Sequence, residues 1–299
     1  MGISELGYIV VQAADIGKWR SYAEQVVGMQ AVDAPGGGLY LKIDRRNHRI
    51  LVIPGDQDRY VASGWLLRDR AEHDAFRARL EGFGVALTDG TSEESALRKV
   101  QGFFYFTDPG GNRHEAGWGP ISNFQPFVSP IGSGPFVTGE LGLGHTVLPA
   151  LDIEATLDFW TRIVGFEASD KLLQPITPDL SVQLYFLHCR NPRQHSLALA
   201  QMPSEVGCVH IMLEYADFDD VGRALDRQQA HNIPLAMTLG KHVNDDMISF
   251  YMMTPGKFIL ELGWGAPPKQ WDEEIFFETT LGSHWGHKWV LQDPDFQLD

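Results

Sequence analysis

The rhythm of apolar and polar positions runs twice along this chain. Leu6 to Met29 (LGYIVVQAADIGKWRSYAEQVVGM) is mirrored at an offset of 137 by Leu143 to Phe166 (LGHTVLPALDIEATLDFWTRIVGF), which pairs Asp15 with Asp152 and Gly28 with Gly165. Each copy predicts a short apolar strand, a turn, an Asp N-cap and a helix of about three turns closed by glycine. Further on, the offset is 146: Phe250 answers to Phe104, Tyr251 to Tyr105, Pro255 to Pro109, Glu261 to Glu115 and Trp264 to Trp118. The growth in offset predicts about nine extra residues in the second half, placed in the Pro-rich stretch LLQPITPDL.

Between these anchors the second half reads as strands at Val182–Leu187, Ser196–Gln201, Cys208–Glu214, Met247–Met253 and Phe258–Leu262, with a helix over Asp217–Gln229. The pattern strand, helix, strands occurs twice per half. It predicts an α+β protein of two homologous domains, each made of two βαβββ modules that form a cupped sheet. Residues 1–130 make one domain and 131–299 the other. Gly119 to Glu140, dense in Pro, Gly and Ser, reads as the connection, and the tail after Trp271 has no repeat partner.

Composition narrows the classes of function. The 299 residues are 43% hydrophobic and 21% charged, as expected of globular domains that bury their own cores. No run of about 18 apolar residues exists, so no membrane span is expected, and the N-terminus shows no signal-peptide pattern. Two cysteines, Cys189 and Cys208, make no disulfide framework, so a cytoplasmic setting is expected. A formal charge of −15 argues against nucleic-acid partners, which require basic patches.

The histidines carry the chemistry. Three of eleven precede residue 140 and eight follow it. In the repeat, His145 answers to Tyr8, His210 to Gly64 or Trp65, and Glu261 to Glu115. One copy therefore offers His, His and Glu on equivalent strands, and the other keeps only the carboxylate. Two imidazoles and a carboxylate bind a divalent metal on one face and leave the opposite positions open, which suits non-haem Fe(II). Mn(II) suits the same donors. The first-half residues show that neither His is needed for the fold, so the first domain is expected to be metal-free and the second catalytic.

His242, Phe250-Tyr251, Thr254-Pro255 and Glu261, together with LGH at 143–145 and VH at 209–210, resemble the signature of the two-domain extradiol ring-cleavage dioxygenases of the vicinal oxygen chelate (glyoxalase-like) superfamily. The resemblance spans nearly the whole chain and is strongest to enzymes acting on 2,3-dihydroxybiphenyl and 1,2-dihydroxynaphthalene. One departure is visible: Gly256-Lys257 stands where the family usually has Ser-Gly, and a retuned turn is expected there. The resemblance implies His145, His210 and Glu261 as iron ligands and His195, His242 and Tyr251 as catalytic groups around a catecholic substrate and dioxygen. Val147, Phe186, Ile248 and Leu281 are expected to line the substrate pocket, with Asn244 and Asp245 in the polar turn beside it. It further implies a role in aromatic-compound degradation and a homo-oligomer. Two other classes share the scaffold, a glyoxalase-like isomerase or lyase and a metal-free binding protein; neither needs the full set of histidines.

Overall fold

Capping by aspartate sets the two equivalent helices. Asp15 accepts from the Lys18 amide and Asp152 from that of Ala155, each satisfying an orphan donor of the first turn. The helices begin as α (Ile16–Ser21 and Ile153–Asp158) and then widen into π-helix over Tyr22–Val27 and Phe159–Val164. The sequence periodicity predicted one regular helix; the extra residue per turn is local and occurs in both copies. Gly28 and Gly165 end them in the left-handed conformation.

The computed structural model describes residues 2–177 and 180–291. The first half holds strands β1 (Glu5–Ala13), β2 (Gln30–Ala34), β3 (Gly38–Lys42), β4 (Ile50–Pro54), β5 (Arg59–Leu67), β6 (Thr88–Asp89), β7 (Gly102–Thr107) and β8 (Arg113–Trp118). They form one sheet in the order β2-β3-β4-β1-β5-β8-β7-β6. In the second half, β9 (His145–Pro149), β10 (Glu167–Thr177), β11 (Leu180–His188) and β12 (Leu197–Ala200) make the third module. The fourth consists of β13 (His210–Glu214), β14 (Leu235–His242), β15 (Ile248–Met253) and β16 (Ile259–Trp264). The tail adds β17 (Phe277–Thr279) and β18 (Ser283–Trp285) at the edges, giving β17-β10-β11-β12-β9-β13-β16-β15-β14-β18.

In each sheet the two modules meet through their first strands, β1 against β5 and β9 against β13, both antiparallel. The extra residues lengthen the β10–β11 hairpin. The offset is 137 at Val10/Val147 and 147 at their strand partners Leu51/Ala198. Pro178 and Asp179, in the Pro-rich stretch, lie outside the described residues. Among the described residues no helix is long and apolar enough to cross a membrane.

One apolar core runs through both halves, with Trp65 packed edge-on against Trp160 and Phe166. On the cupped face of the first sheet lies a fully buried carboxylate, Glu115. Arg98, from the helix Ser92–Arg98, grips it in a fork, Nη2 to Oε1 at 2.6 Å and Nε to Oε2 at 2.5 Å. Tyr8 donates to Oε2 at 2.9 Å, and Arg113 approaches Oε1. Removing one partner of a buried ion pair strands the other charge. Arg98→Met should therefore cost about 3–5 kcal/mol in urea unfolding. Adding Glu115→Gln to that variant should recover much of the loss; no recovery would mean that Arg98 acts through packing alone.

Candidate metal centre

Three neighbouring strands of the second sheet bring His145, His210 and Glu261 together. Strand β13 lies between β9 and β16, and Met212 is paired with His145 on one side and Glu261 on the other. His210 stands two residues from Met212, so the period-two alternation places all three side chains on one face. The same pairing in the first half sets Gly64 opposite both Tyr8 and Glu115, and Ala62 opposite Val10 as His210 is opposite Val147. The structural counterpart of His210 is thus Ala62, not the predicted Gly64 or Trp65. The offset here is 148, so extrapolating 146 back from Glu261 overshoots by two. Gly144 is required before His145: its φ is +146°, and a Cβ there would meet Met212 O at 2.0 Å.

The donor atoms converge. His145 Nε2 is 3.1 Å from His210 Nε2 and 3.2 Å from Glu261 Oε2, and His210 Nε2 is 3.4 Å from the same oxygen. Ligands at about 2.1 Å from one ion and at right angles sit about 3 Å apart, so the spacing fits a shared divalent cation. The charge states fit as well. Burial lowers His145 to about 4, which keeps its ring neutral. Burial alone would raise the Glu261 carboxyl, but hydrogen bonds from His145, His210 and His242 hold it well below the usual range. A neutral imidazole and an anionic carboxylate are the forms that ligate.

The predicted catalytic groups surround these donors. His242 ends β14; its Nε2 lies 3.2 Å from Glu261 Oε1 and 2.6 Å from the Tyr251 hydroxyl, and its Nδ1–H donates to Gly282 O at 3.2 Å. Burial opposes its charge, but the Glu261 hydrogen bond and charge prevail and raise it to about 9. Tyr251 is held well above 10, by burial first and by the charge of Glu261 second, so it remains a phenol. His195 is 3% exposed rather than a solvated turn residue, and its ring lies 4.0 Å from that of His145. Burial drives its pKa well down, and its Nε2 has no hydrogen-bond partner among the described residues.

The apolar wall is partly as expected. Val147 shares the face of His145 and clusters with Phe186, Ala198 and Ala200, while Phe186 also packs edge-on against His195. Asn244 and Asp245 form the turn after His242; Asp245 is buried, which raises its carboxyl to about 6 against the lowering charge of His242. Two placements differ. Ile248 has the strand parity of the core residues Phe250 and Met252, opposite to Tyr251, so its side chain turns away from the cup. Leu281 is 57% exposed, although the adjacent Gly282 carbonyl holds His242. At the predicted departure, Lys257 takes φ +61°. The Thr254 amide still bonds Phe258 O and β16 keeps its register, so Glu261 is undisturbed.

Sequence reasoning missed three participants. His287, from the tail, stacks 4.1 Å from His242 and bonds Ser249 and Ser283. Gln194 and Asp170 stand behind His195. Among these, only His287 left a signal, a histidine in a tail rich in aromatics.

Fold and donor set define a metal-dependent enzyme on paired βαβββ modules. Residues 6–55 match the model for Dihydroxybiphenyl dioxygenase BphC D1, and residues 142–262 that for the Glyoxalase/Bleomycin resistance protein/Dioxygenase superfamily. The chain is 41% identical over 298 residues to an iron-dependent extradiol dioxygenase of Rhodococcus jostii, covering 96% of this chain and 97% of the relative. It is 37% identical over 286 residues to a biphenyl-2,3-diol 1,2-dioxygenase of Sphingomonas paucimobilis, covering 94% and 95%. A solved structure of BphC, a halotolerant catechol dioxygenase, superposes with a TM-score of 0.90 at 32% identity, over 99% of this chain and 97% of that one. The chain belongs to the extradiol dioxygenase family and is an oxidoreductase on the vicinal oxygen chelate fold.

The ligand assignment has a direct test. His145→Ala, His210→Ala and Glu261→Gln should stay folded by circular dichroism and lose iron affinity by more than the roughly 10–100-fold typical of losing a residue that only orients a ligand. Glu115→Gln should keep its iron; the opposite pattern would place the centre in the first half.

Proposed function

We propose that this chain opens the ring of a substituted or bicyclic catechol, such as 2,3-dihydroxybiphenyl, beside its two hydroxyls, in the degradation of aromatic compounds. Residues 131–299 are the catalytic unit, and Fe(II) is the metal. Support for iron over Mn(II) comes from the iron-dependent relative at 41% identity. The carrying observation is that His145, His210 and Glu261 present donor atoms within 4.8 Å of one another, flanked by the His242–Tyr251 pair and the free His195 Nε2.

His145, His210 and Glu261 would hold Fe(II), which would supply Lewis-acid and redox chemistry toward a catecholate and dioxygen. The remaining work belongs to the protein. The Tyr251 phenol donates to an oxygen of the catecholate. Charged His242, anchored by Glu261 and Gly282, places a positive group beside the same anion. His195 Nε2 takes and returns a proton, as a buried neutral imidazole with a bare ring nitrogen is equipped to do. Val147, Phe186, Ala198 and Ala200 exclude water and receive the ring substituent, the two alanines leaving space opposite the larger side chains. An isomerase, a lyase or a binding protein on this scaffold has no use for the His242–Tyr251 pair together with His195. Two free, buried cysteines suit a cytoplasmic setting, and exposed Ile275, Phe276 and Trp285 on the tail suit a homo-oligomer.

Anaerobically prepared protein loaded with Fe(II) should consume one dioxygen per catechol and give a yellow ring-fission product. Among biphenyl-type, naphthalene-type and alkyl catechols, the biphenyl-type should show the highest kcat/KM. No oxygen uptake across the panel, with iron confirmed bound, would overturn the assignment.

A further inference from the structure

We infer that Gln194 and Asp170 are positioning residues that fix the tautomer of His195, leaving its Nε2 without a proton on the side of the metal centre. The three side chains form a buried line. His195 Nδ1 is 2.5 Å from Gln194 Oε1, and Gln194 Nε2 is 2.5 Å from Asp170 Oδ2. All three side chains are buried, at 3%, 4% and 0% exposure. Burial raises the Asp170 carboxyl to about 7, and in its ionised form it can only accept, so it claims the N–H end of the Gln194 amide and turns the carbonyl end toward His195. A carbonyl can only accept in turn, so Nδ1 must carry the ring proton and Nε2 the lone pair. The Ser169 hydroxyl, next to Asp170, donates to the backbone carbonyl of Gln194 and so ties the two segments together. Flipping the amide would set Oε1 against the carboxylate and Nε2–H against the ring, and would move the proton to the wrong nitrogen.

This inference rests on His195 as the proton-handling group, but the arrangement can be read without turnover. Long-range proton–nitrogen NMR on full-length protein with labelled histidine, and diamagnetic Zn(II) in place of iron, reports which ring nitrogen is protonated. His195→Gln identifies the signal by its loss. Native protein should show Nδ1–H, and Gln194→Met, which offers neither amide oxygen nor amide N–H, should lose that signature. In the Fe(II) enzyme Gln194→Met should lower kcat by roughly 10–100-fold, a share of the 10²–10⁴ that acid–base catalysis contributes. KM and iron content should stay within about twofold to threefold of native, whereas a merely structural defect would move them as well. Gln194→Glu retains an acceptor for Nδ1–H and should keep both the signature and most of kcat. Asp170→Asn, which can face Gln194 with either end, should give a mixed signature and an intermediate kcat. If Gln194→Met keeps the native Nδ1–H signal, the relay is wrong. If His195→Gln leaves kcat unchanged, the role of His195 fails instead, and the NMR result still judges the relay.

Discussion

A carboxylate buried on the concave face of each sheet is the constraint from which the rest of the structure follows. Glu115 and Glu261 occupy equivalent positions, at 0% and 1% exposure. A buried charge is tolerated only with a compensating partner. The first half answers with Arg98, whose guanidinium fork covers both oxygens, and with the Tyr8 hydroxyl. In the second half, imidazoles from three strands occupy that ground, and His242, raised to about 9 by Glu261, stands against the carboxylate. The two halves thus satisfy one electrostatic requirement in two ways. Tyr8 stands for His145, and Ala62 stands for His210.

Strand geometry makes the reactive solution rigid. The donors sit on three adjacent strands whose spacing is set by the backbone ladder, so no loop has to close for them to meet. The carbonyl of Gly282, in the tail, then fixes the orientation of His242, and Gln194 does the same for His195. Both imidazoles are thus held from behind by a hydrogen bond at Nδ1.

Much of this was legible in the sequence because duplication supplies an internal control. Strands, caps and the His145, His210 and Glu261 set emerged from comparing one half with the other. Other features escaped for identifiable reasons. The offset changes from 146 at Glu115/Glu261 to 148 at the strands β5 and β13, a shift with no sequence marker, so Ala62 rather than Gly64 or Trp65 answers to His210. His195 follows an Asn-Pro-Arg-Gln turn that looks solvated, but Arg193 of that turn is buried on Glu214 and carries His195 inward. Ile248 is apolar and lies on a strand next to the ligands, but strand alternation places it on the face of Phe250 and Met252. Arg98, Gln194 and Asp170 have no pattern at all, since each acts through a contact distant in sequence or across a turn.

The two halves are tied to each other structurally. Its helix ends and strands are part of the second half's support. Tyr215, beside the ligand-bearing strand β13, donates to Val27 O, and Arg227 donates to Val26 O at the end of the first π-helix. Arg79 returns the contact to Ile163 O and Arg162 O at the end of the second. Closest to the site, Thr146, the residue after His145, donates to the Tyr60 hydroxyl of β5. The π-widening of both helices supplies carbonyls at their ends that a regular C-terminus would direct along the helix axis toward solvent, and the opposite half binds them. The exchange is reciprocal, so neither half can shed its helix end without stranding donors in the other. The first half therefore supports β9, the interior strand from which His145 projects, through the contact of Thr146 with Tyr60.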